Sequence, residues 1–334
     1  MYWRFVCVIF LFCGLSACGG SGGGGGNSTS LNQPSVPGLA DLWEGKAEFV
    51  EDGVQFGSSF GMHFTSSVWS EGVLYSYFIN TSKTGSLFLS STYLAQSTDG
   101  INFSNYGSVL EARPPIERIA SFPSVWIEDG TWYMVVEGSP ASFAPGLGGI
   151  YLATSSDGLT WGPHATPILV PSADWERVNI GTPTIFRDNG KWYVFYHGYD
   201  GSRLNVGFAS GDDLFALQYG NEHRPVLEIG TDWDSGTIGK RSIIKQDDWY
   251  YMVYEGSTPA PAGKDFGFAH WSSGLARSRD LVTWEKYSGN PIFPQTVRGF
   301  GYDGPEFIRT PDNILNIYFR NTSGTTSRAR LQAK

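Results

Sequence analysis

Three features of this sequence predict an all-β fold. Of its 334 residues 15% are aromatic and only 16% charged, with 43 glycines, a composition suited to strands joined by tight turns. A strand-like unit ending in Gly recurs at nearly constant spacing. Asp-Gly and Asn-Gly pairs stand between apolar runs, the strongest short-range hairpin signal. A chain of this length can bury a sizeable core, which argues against disorder or a disulfide-stapled mini-domain. Lys and Arg number 23 against 32 Asp and Glu, a net charge of −9, which argues against a nucleic-acid partner.

The chain starts with an expected export signal. Arg4 supplies a positive n-region, and Phe5 to Leu15 is an apolar run of signal-peptide length, too short to anchor in a bilayer. It ends in Leu15-Ser16-Ala17-Cys18, which resembles the lipobox of bacterial lipoproteins. The resemblance implies that residues 1–17 are cleaved, that Cys18 is lipidated, and that the protein is tied to a bacterial membrane. The expected location is the outer membrane, on its periplasmic or cell-surface face. Ordinary signal cleavage with Cys18 a bystander is the alternative. Residues 18–40, with the Gly/Ser-rich run from Gly19 to Ser30, read as a flexible tether. Cys7 and Cys13 leave with the signal, so residues 41–334 must be held by packing alone.

Beyond the tether the chain repeats. The clearest unit is Trp132-Tyr133-Met134-Val135-Val136-Glu137-Gly138. It returns as Trp192-Tyr193-Val194-Phe195-Tyr196-His197-Gly198 and as Tyr250-Tyr251-Met252-Val253-Tyr254-Glu255-Gly256. Weaker copies begin at Leu74 and Leu315. The intervals from Tyr75 through Tyr133, Tyr193 and Tyr251 to Asn316 are 58, 60, 58 and 65 residues. Each copy follows an apolar run and a turn, as in Glu128-Asp129-Gly130 and Arg187-Asp188-Asn189-Gly190. A third strand then leads into a polar turn of the form Ser155-Ser156-Asp157-Gly158-Leu159-Thr160-Trp161, repeated at Ser97 and Ser278 and degenerate at Asp212. A fourth strand is expected at Thr166–Val170 and Asn290–Phe293. Four antiparallel strands repeated five times predict a five-bladed propeller. The last unit is one strand short, and Ala47 to Val50 is expected to supply it, closing the ring with an N-terminal strand.

These repeats, with Ala153-Thr154-Ser155-Ser156-Asp157-Gly158-Leu159-Thr160-Trp161 and a Trp followed by an acid before the next unit, resemble the five-bladed propeller glycosidases. That group includes arabinanases, xylosidases, fructosidases, neoagarooligosaccharide hydrolases and related mannoside phosphorylases. The resemblance spans most of residues 45–332 and rests on scaffold repeats. It implies an active site at one mouth of the central channel and an oligo- or polysaccharide substrate. Members of the arabinanase and fructosidase type carry an acid just before the proline at two or three blade starts. Here Ser121-Phe122-Pro123 and Gly181-Thr182-Pro183 lack it, and only Asp303-Gly304-Pro305 keeps it. The usual three-carboxylate assignment does not carry across.

The start of a first strand and the end of a second lie at the same end of a hairpin, so both should face the mouth. This places Glu137, Glu255, Asp303 and Glu306 as candidate catalytic acids and His197 as a proton carrier. Glycoside hydrolysis needs one carboxyl group to protonate the leaving oxygen and another as base or nucleophile. The competing reading is that a Glu or His at a strand end bonds the next blade's Arg or backbone. Asp174-Trp175-Glu176-Arg177 and Asp232-Trp233-Asp234-Ser235 stand in register between blades. Trp175, Glu176, Arg177 and Asp234 are candidates for sugar contact, with Trp175 and Trp233 alternatively wedges between blades. His63 is a further candidate for sugar contact, with a packed core histidine the alternative. Arg118, Arg177, Lys240, Arg241 and Arg320 would make a cationic mouth suited to a uronate- or sulfate-bearing glycan, with inter-blade ion pairs the alternative. No Cys/His metal spacing or phosphate-binding glycine loop is present. No cofactor is expected, and no ligand cluster supports a structural calcium ion, which stays an open alternative. The functions in competition are a glycoside hydrolase, a non-catalytic glycan-binding lipoprotein and a phosphorylase.

Overall fold

A computed structural model describes residues 36–56, 64–84, 87–116, 119–139 and 148–334. The expected signal, the tether up to residue 35 and Cys18 therefore lie outside the described residues, as do His63 and Arg118. A short helix α1 (Leu39–Trp43) leads into β1 (Ala47–Phe56). Four blades follow in chain order. The first is β2 (Phe64–Ser70), β3 (Val73–Thr84), β4 (Leu87–Ser97) and β5 (Ser104–Leu110); the second is β6 (Ile119–Glu128), β7 (Thr131–Ser139), β8 (Gly149–Ser155) and β9 (Gly162–Pro163). The third is β10 (Asn179–Asp188), β11 (Lys191–Tyr199), β12 (Leu204–Gly211) and β13 (Gln218–Tyr219); the fourth is β14 (Thr237–Gln246), β15 (Trp249–Ser257), β16 (Trp271–Ser278) and β17 (Glu285–Lys286). The fifth sheet runs β18 (Asp303–Arg309), β19 (Leu315–Arg320), β20 (Thr326–Ala333) and then β1. β1 is antiparallel to β20, with Ala47 opposite Ala333 and Val50 opposite Arg330. The first strands β2, β6, β10, β14 and β18 touch in a circle, β18 meeting β2. The fold is a five-bladed propeller.

The turns explain the strand limits. Asp129-Gly130 and Asn189-Gly190 join paired strands as two-residue loops, with φ of 48° and 76° and of 50° and 77°, the left-handed pair that a type I′ turn requires. In the Ser-x-Asp turns the carboxylate caps its own loop. Asp157 Oδ1 accepts from Ser155 Oγ, Leu159 N and Thr160 N at 2.8–2.9 Å, and Asp99 and Asp280 repeat the pattern. Those bonds to the charged form hold the Asp157 carboxyl below its ordinary pKa. The loops also tie blades together, because the buried Tyr77 hydroxyl donates to Gly158 O at 2.8 Å and Tyr318 donates to Gly100 O.

The fourth strands differ from expectation. β9 and β17 are two residues long and lie upstream of the apolar runs; Leu169 meets Ile150 in an isolated bridge. Pro167 and Pro291 cannot donate to a ladder, which breaks an outer strand at those points. At Asn290 a side chain replaces the missing ladder: its amide accepts from Leu275 N at 2.8 Å and donates to Leu275 O at 2.9 Å.

Every first strand carries a register break near its start, at Phe64/Ser66, Ser121/Ser124, Gly181/Thr184, Ile238/Arg241 and Asp303/Glu306. Phe122, Thr182 and Gly304, each before a proline, take φ of 50°, 42° and 61° there. A bulge re-aims the side chains around it. Just past the bulge, Ser66, Ser124, Thr184, Ser242 and Glu306 stand at equivalent positions and join each blade to the next. Ser66 Oγ accepts from Val125 N at 2.9 Å, and Ser124 Oγ from Ile185 N at 3.1 Å. Thr184 Oγ1 donates to Arg241 O at 2.9 Å, and Ser242 Oγ accepts from Phe307 N at 3.3 Å. Glu306 Oε1 accepts from Ser67 N, so the fifth blade is joined to the first.

Removing residues 40–52 strips β20 of its partner and removes the buried Leu42 and Ala47. The expected outcome is a fall in melting temperature on the order of 10 °C or more, measured by calorimetry on the otherwise intact chain; an unchanged melt would show that β1 contributes nothing to stability.

Candidate active site

Bulges and second-strand ends converge on one cavity of about 420 Å³, lined among others by Glu137, Thr182, His197, Glu255, Asp303 and Arg320. Five of the residues singled out from the sequence therefore share one site. The carboxylates are positioned in the same way. Glu137 Oε2 accepts from Thr182 N of the next blade at 3.0 Å. Glu255 Oε2 accepts from Gly304 N of the next blade at 2.7 Å, and its Oε1 from Lys240 N at 2.7 Å. Glycine makes this approach possible: a methyl group at Gly181 would overlap both Glu137 Oε2 and His197 Cε1, and one at Gly239 would overlap Glu255 Oε1. Carboxylate and imidazole are thus neighbours across Gly181.

Burial sets the protonation states. It raises Glu137 to about 7, against the opposing pull of the Thr182 N–H. Burial and then the Asp303 charge raise Glu255 to about 7, although two backbone N–H groups favour its ionised form. His197 moves the other way, to about 3, through burial and then the Arg241 charge, so it is neutral at physiological pH. Its Nδ1 shares a 2.8 Å hydrogen bond with Thr182 Oγ1, which also accepts from Arg241 Nη2 at 2.8 Å. Asp303 is gripped by Arg320, whose Nε donates to Oδ1 at 3.0 Å while Nη2 donates to Oδ2; the guanidinium lies 4.3 Å from the Phe300 ring centre.

Other candidates fall elsewhere. Glu306, Lys240 and Arg241 sit deeper, around a narrower cavity of about 180 Å³ lined by residues of all five first strands. Lys240 Nζ donates to Pro305 O at 3.0 Å, and burial lowers its pKa while the Glu306 charge opposes that. Glu306 rises to about 7 through burial, against the Lys240 charge. Arg241, 1% exposed, spans the gap between the two cavities. None of the three lines the upper cavity.

The inter-blade turns are packing devices. Trp175 stacks on Tyr196 at 5.8 Å and fills the space left by Gly198 and Gly207; Trp233 packs at a tilt against Tyr254 and fills the space left by Gly256 and Gly274. Glu176 is fully buried, accepting from Tyr196 Oη at 3.1 Å and Ser172 N at 2.9 Å and meeting His223 Nε2 at 2.9 Å. Asp234 binds Lys286 Nζ at 2.6 Å and Tyr254 Oη at 3.2 Å. Arg177 is exposed and outside the cavity lining. Trp175, Trp233, Glu176 and Asp234 are spent on blade contacts and, like Arg177, lie outside the cavity lining.

The cavity wall is aromatic, formed by Phe122, Tyr199, Phe266, Trp271 and Phe300, and apart from Phe122, which stands at a first-strand start, sequence reasoning missed it. Phe266 comes from the connection after β15, residues 258–270, where the third blade uses only residues 200–203, and Trp271 opens β16 directly after it. That extra length was the available signal, since long loops on a rigid scaffold carry binding residues. Apolar ring faces beside polar groups suit a sugar, which has both kinds of surface.

No protein-family model matches the chain. It is 25% identical over 151 residues to a 1,2-beta-oligomannan phosphorylase of Thermoanaerobacter sp. (strain X514), covering 40% of this chain and 48% of that protein. It is 37% identical over 105 residues to a raffinose invertase of Escherichia coli, covering 30% of this chain and 20% of that one. The matched regions thus span less than half the length of these curated relatives. Among solved structures, a thermostable family-43 glycoside hydrolase superposes with a TM-score of 0.63 at 18% identity, covering 85% of this chain and 93% of that one. The structural likeness is one of fold.

Raised carboxyl pKa values have a consequence for stability. A group at about 4.5 unfolded and about 7 folded binds more protons when folded, so its contribution weakens as pH climbs through that window. Glu137→Gln removes this dependence. The variant is expected to gain stability over the wild type at pH 8 relative to pH 5, measured as the difference between urea midpoints at the two pH values.

Proposed function

We propose that the protein is a glycoside hydrolase whose paired carboxyl groups are Glu137 and Glu255, with Asp303 beside them. The observation that carries this reading is the convergence of both glutamates, each raised to about 7, on one aromatic-walled cavity. Glu137 is the general acid. Its Oε2 is held by one backbone N–H, and among the described residues no hydrogen bond reaches Oε1, so that oxygen can give a proton to a leaving glycosidic oxygen. Glu255 is the base or nucleophile, because two backbone N–H groups stabilise its ionised form. Neutral His197 orients a sugar hydroxyl, and Arg320 holds the Asp303 carboxyl group in place to face positive charge developing on the sugar ring. The fold likeness to a family-43 glycoside hydrolase and the partial match to a raffinose invertase support a carbohydrate substrate.

A glycan-binding protein without catalysis is the second reading. It is favoured by the double use of each glutamate as a tie to the next blade and by the full engagement of Asp303 with Arg320. Turnover of aryl glycosides and of plant or algal oligosaccharides separates the two. The hydrolase reading expects Glu137→Gln and Glu255→Gln each to lower kcat by about 10²–10⁴-fold. It also expects a rate maximum near pH 7, falling on either side as one glutamate loses or the other gains its proton. Oligosaccharide binding without turnover on any substrate would establish the second reading instead.

The lipid anchor belongs to the same proposal. Its support is the Leu15-Ser16-Ala17-Cys18 sequence followed by a Gly/Ser run, which would hold the propeller off a membrane where polymeric sugars are met. Metabolic labelling with palmitate in a bacterial host is expected to mark the wild-type chain and not Cys18→Ser. Equal labelling of both would sink the assignment.

A further inference from the structure

The cavity above the channel adjoins a second, larger one of about 760 Å³. Tyr199 and Phe266 belong to both linings, and their rings meet edge to face at 6.0 Å, so the two spaces share one aromatic sill. Tyr199 ends β11 of the third blade, and Phe266 lies in the long connection of the fourth. A chain of sugars leaving the inner cavity in this direction crosses the junction between these blades.

The outer lining has a different chemistry. It carries Arg203 and Lys264 together with Ser202 and Ser235. Among the described residues neither cation has a carboxylate at ion-pair distance. Lys264 Nζ lies 5.2 Å from the Phe268 ring centre. The acid in the lining, Asp265, is turned to its own backbone, accepting from Gly267 N at 3.0 Å. Arg203 rides on a fixed turn, because Asp200 Oδ1 accepts from Ser202 N at 2.7 Å and Arg203 N at 2.8 Å. Buried Lys240 and Arg241 and paired Arg320 are committed within the fold, whereas these two cations are not.

We propose that the outer cavity is a subsite for an acidic sugar, its carboxylate or sulfate group held by Arg203 and Lys264, on an oligosaccharide whose scissile bond lies in the inner cavity. The placing of that bond rests on the hydrolase reading; the acidic-glycan preference does not. A chain of net charge −9 repels an anionic polymer over most of its surface, so a local pair of unengaged cations directs such a ligand to this groove. Guanidinium and ammonium groups supply charge-assisted hydrogen bonds to either anion.

Calorimetric binding to the full chain tests this without turnover, using a galacturonate trisaccharide, a sulfated galactose trisaccharide and the neutral galactose trisaccharide. At least one acidic probe should bind about tenfold or more tightly than the neutral one, the effect of one charge-assisted contact. The gap should narrow at 0.5 M salt. An Arg203→Gln/Lys264→Gln double variant, changed at positions outside the inner cavity lining, should bind acidic and neutral probes equally with an unchanged melt. Preference for the uronate assigns the carboxylate, and preference for the sulfated probe assigns the sulfate ester. Neutral binding as tight as both acidic probes, no binding of any probe, or an acidic preference that survives the double substitution would overturn the proposal. An inactive protein that still selects an acidic probe would overturn the hydrolase reading and leave this one standing.

Discussion

The circle of hydrogen bonds just below the cavity is the interaction on which the rest depends. Five sheets can share a channel only if each innermost strand is fixed to the next. Here the fixing is done by one side chain per blade at one register position: Ser66, Ser124, Thr184, Ser242 and Glu306. Each hydroxyl bond is worth about 1 kcal/mol net, but an unmade one would strand a buried N–H, or at Thr184 a buried carbonyl, at about 1–3 kcal/mol. The circle is therefore enforced more by what its absence would cost than by what it adds. The seam between fifth and first blades is the exception, where a glutamate replaces the hydroxyl and carries a burial penalty that Lys240 offsets.

The same bulges that aim these hydroxyls inward put Thr182, Lys240 and Gly304 at the level above, with backbone N–H groups turned to Glu137 and Glu255. Scaffold and site are consecutive rungs of one ladder. On the hydrolase reading, one glutamate can both tie blades and do chemistry. A carboxylate held by the neighbouring blade's backbone is already positioned, and exclusion from water raises its pKa to about 7. Positioning and activation have one cause, and the stability lost above pH 5 is its counterpart.

Much of the fold was legible because strands of period two, Asp-Gly and Asn-Gly turns and a repeat near 60 residues all agree. The outer strands were misplaced because apolar runs such as Thr166–Val170 satisfy packing without a ladder once proline interrupts them. In the site, Glu137, His197, Glu255, Asp303 and Arg320 were legible from hairpin geometry alone. Glu306 and Lys240 were assigned to the mouth because sequence spacing does not show the bulge that separates one level from the next. Trp175, Glu176 and Asp234 repeat between blades because the junctions repeat, and what recurs at every junction is scaffold. Phe266 and Phe300 of the aromatic wall were invisible to repeat reasoning, since they come from connections outside the recurring strands.

Departures from five-fold repetition are therefore where specificity resides. Blades two and four place glutamate at the end of the second strand, while the third places His197, which burial keeps neutral. On the proposed hydrolase reading, a neutral donor and acceptor there, facing Glu137 across Gly181, reads hydroxyl groups without adding charge beside a carboxyl that must keep its proton. A lysine at that position would lower the Glu137 pKa through its positive charge and remove the acid from its working range. The cations of this chain follow the same logic. Arg320 beside the glutamates is paired with Asp303, Lys240 and Arg241 are sunk below them, and Arg203 and Lys264 stand beyond the Tyr199–Phe266 sill. Under the two proposals taken together, separating charge for holding a ligand from charge for chemistry lets one propeller mouth do both without either setting the other's protonation.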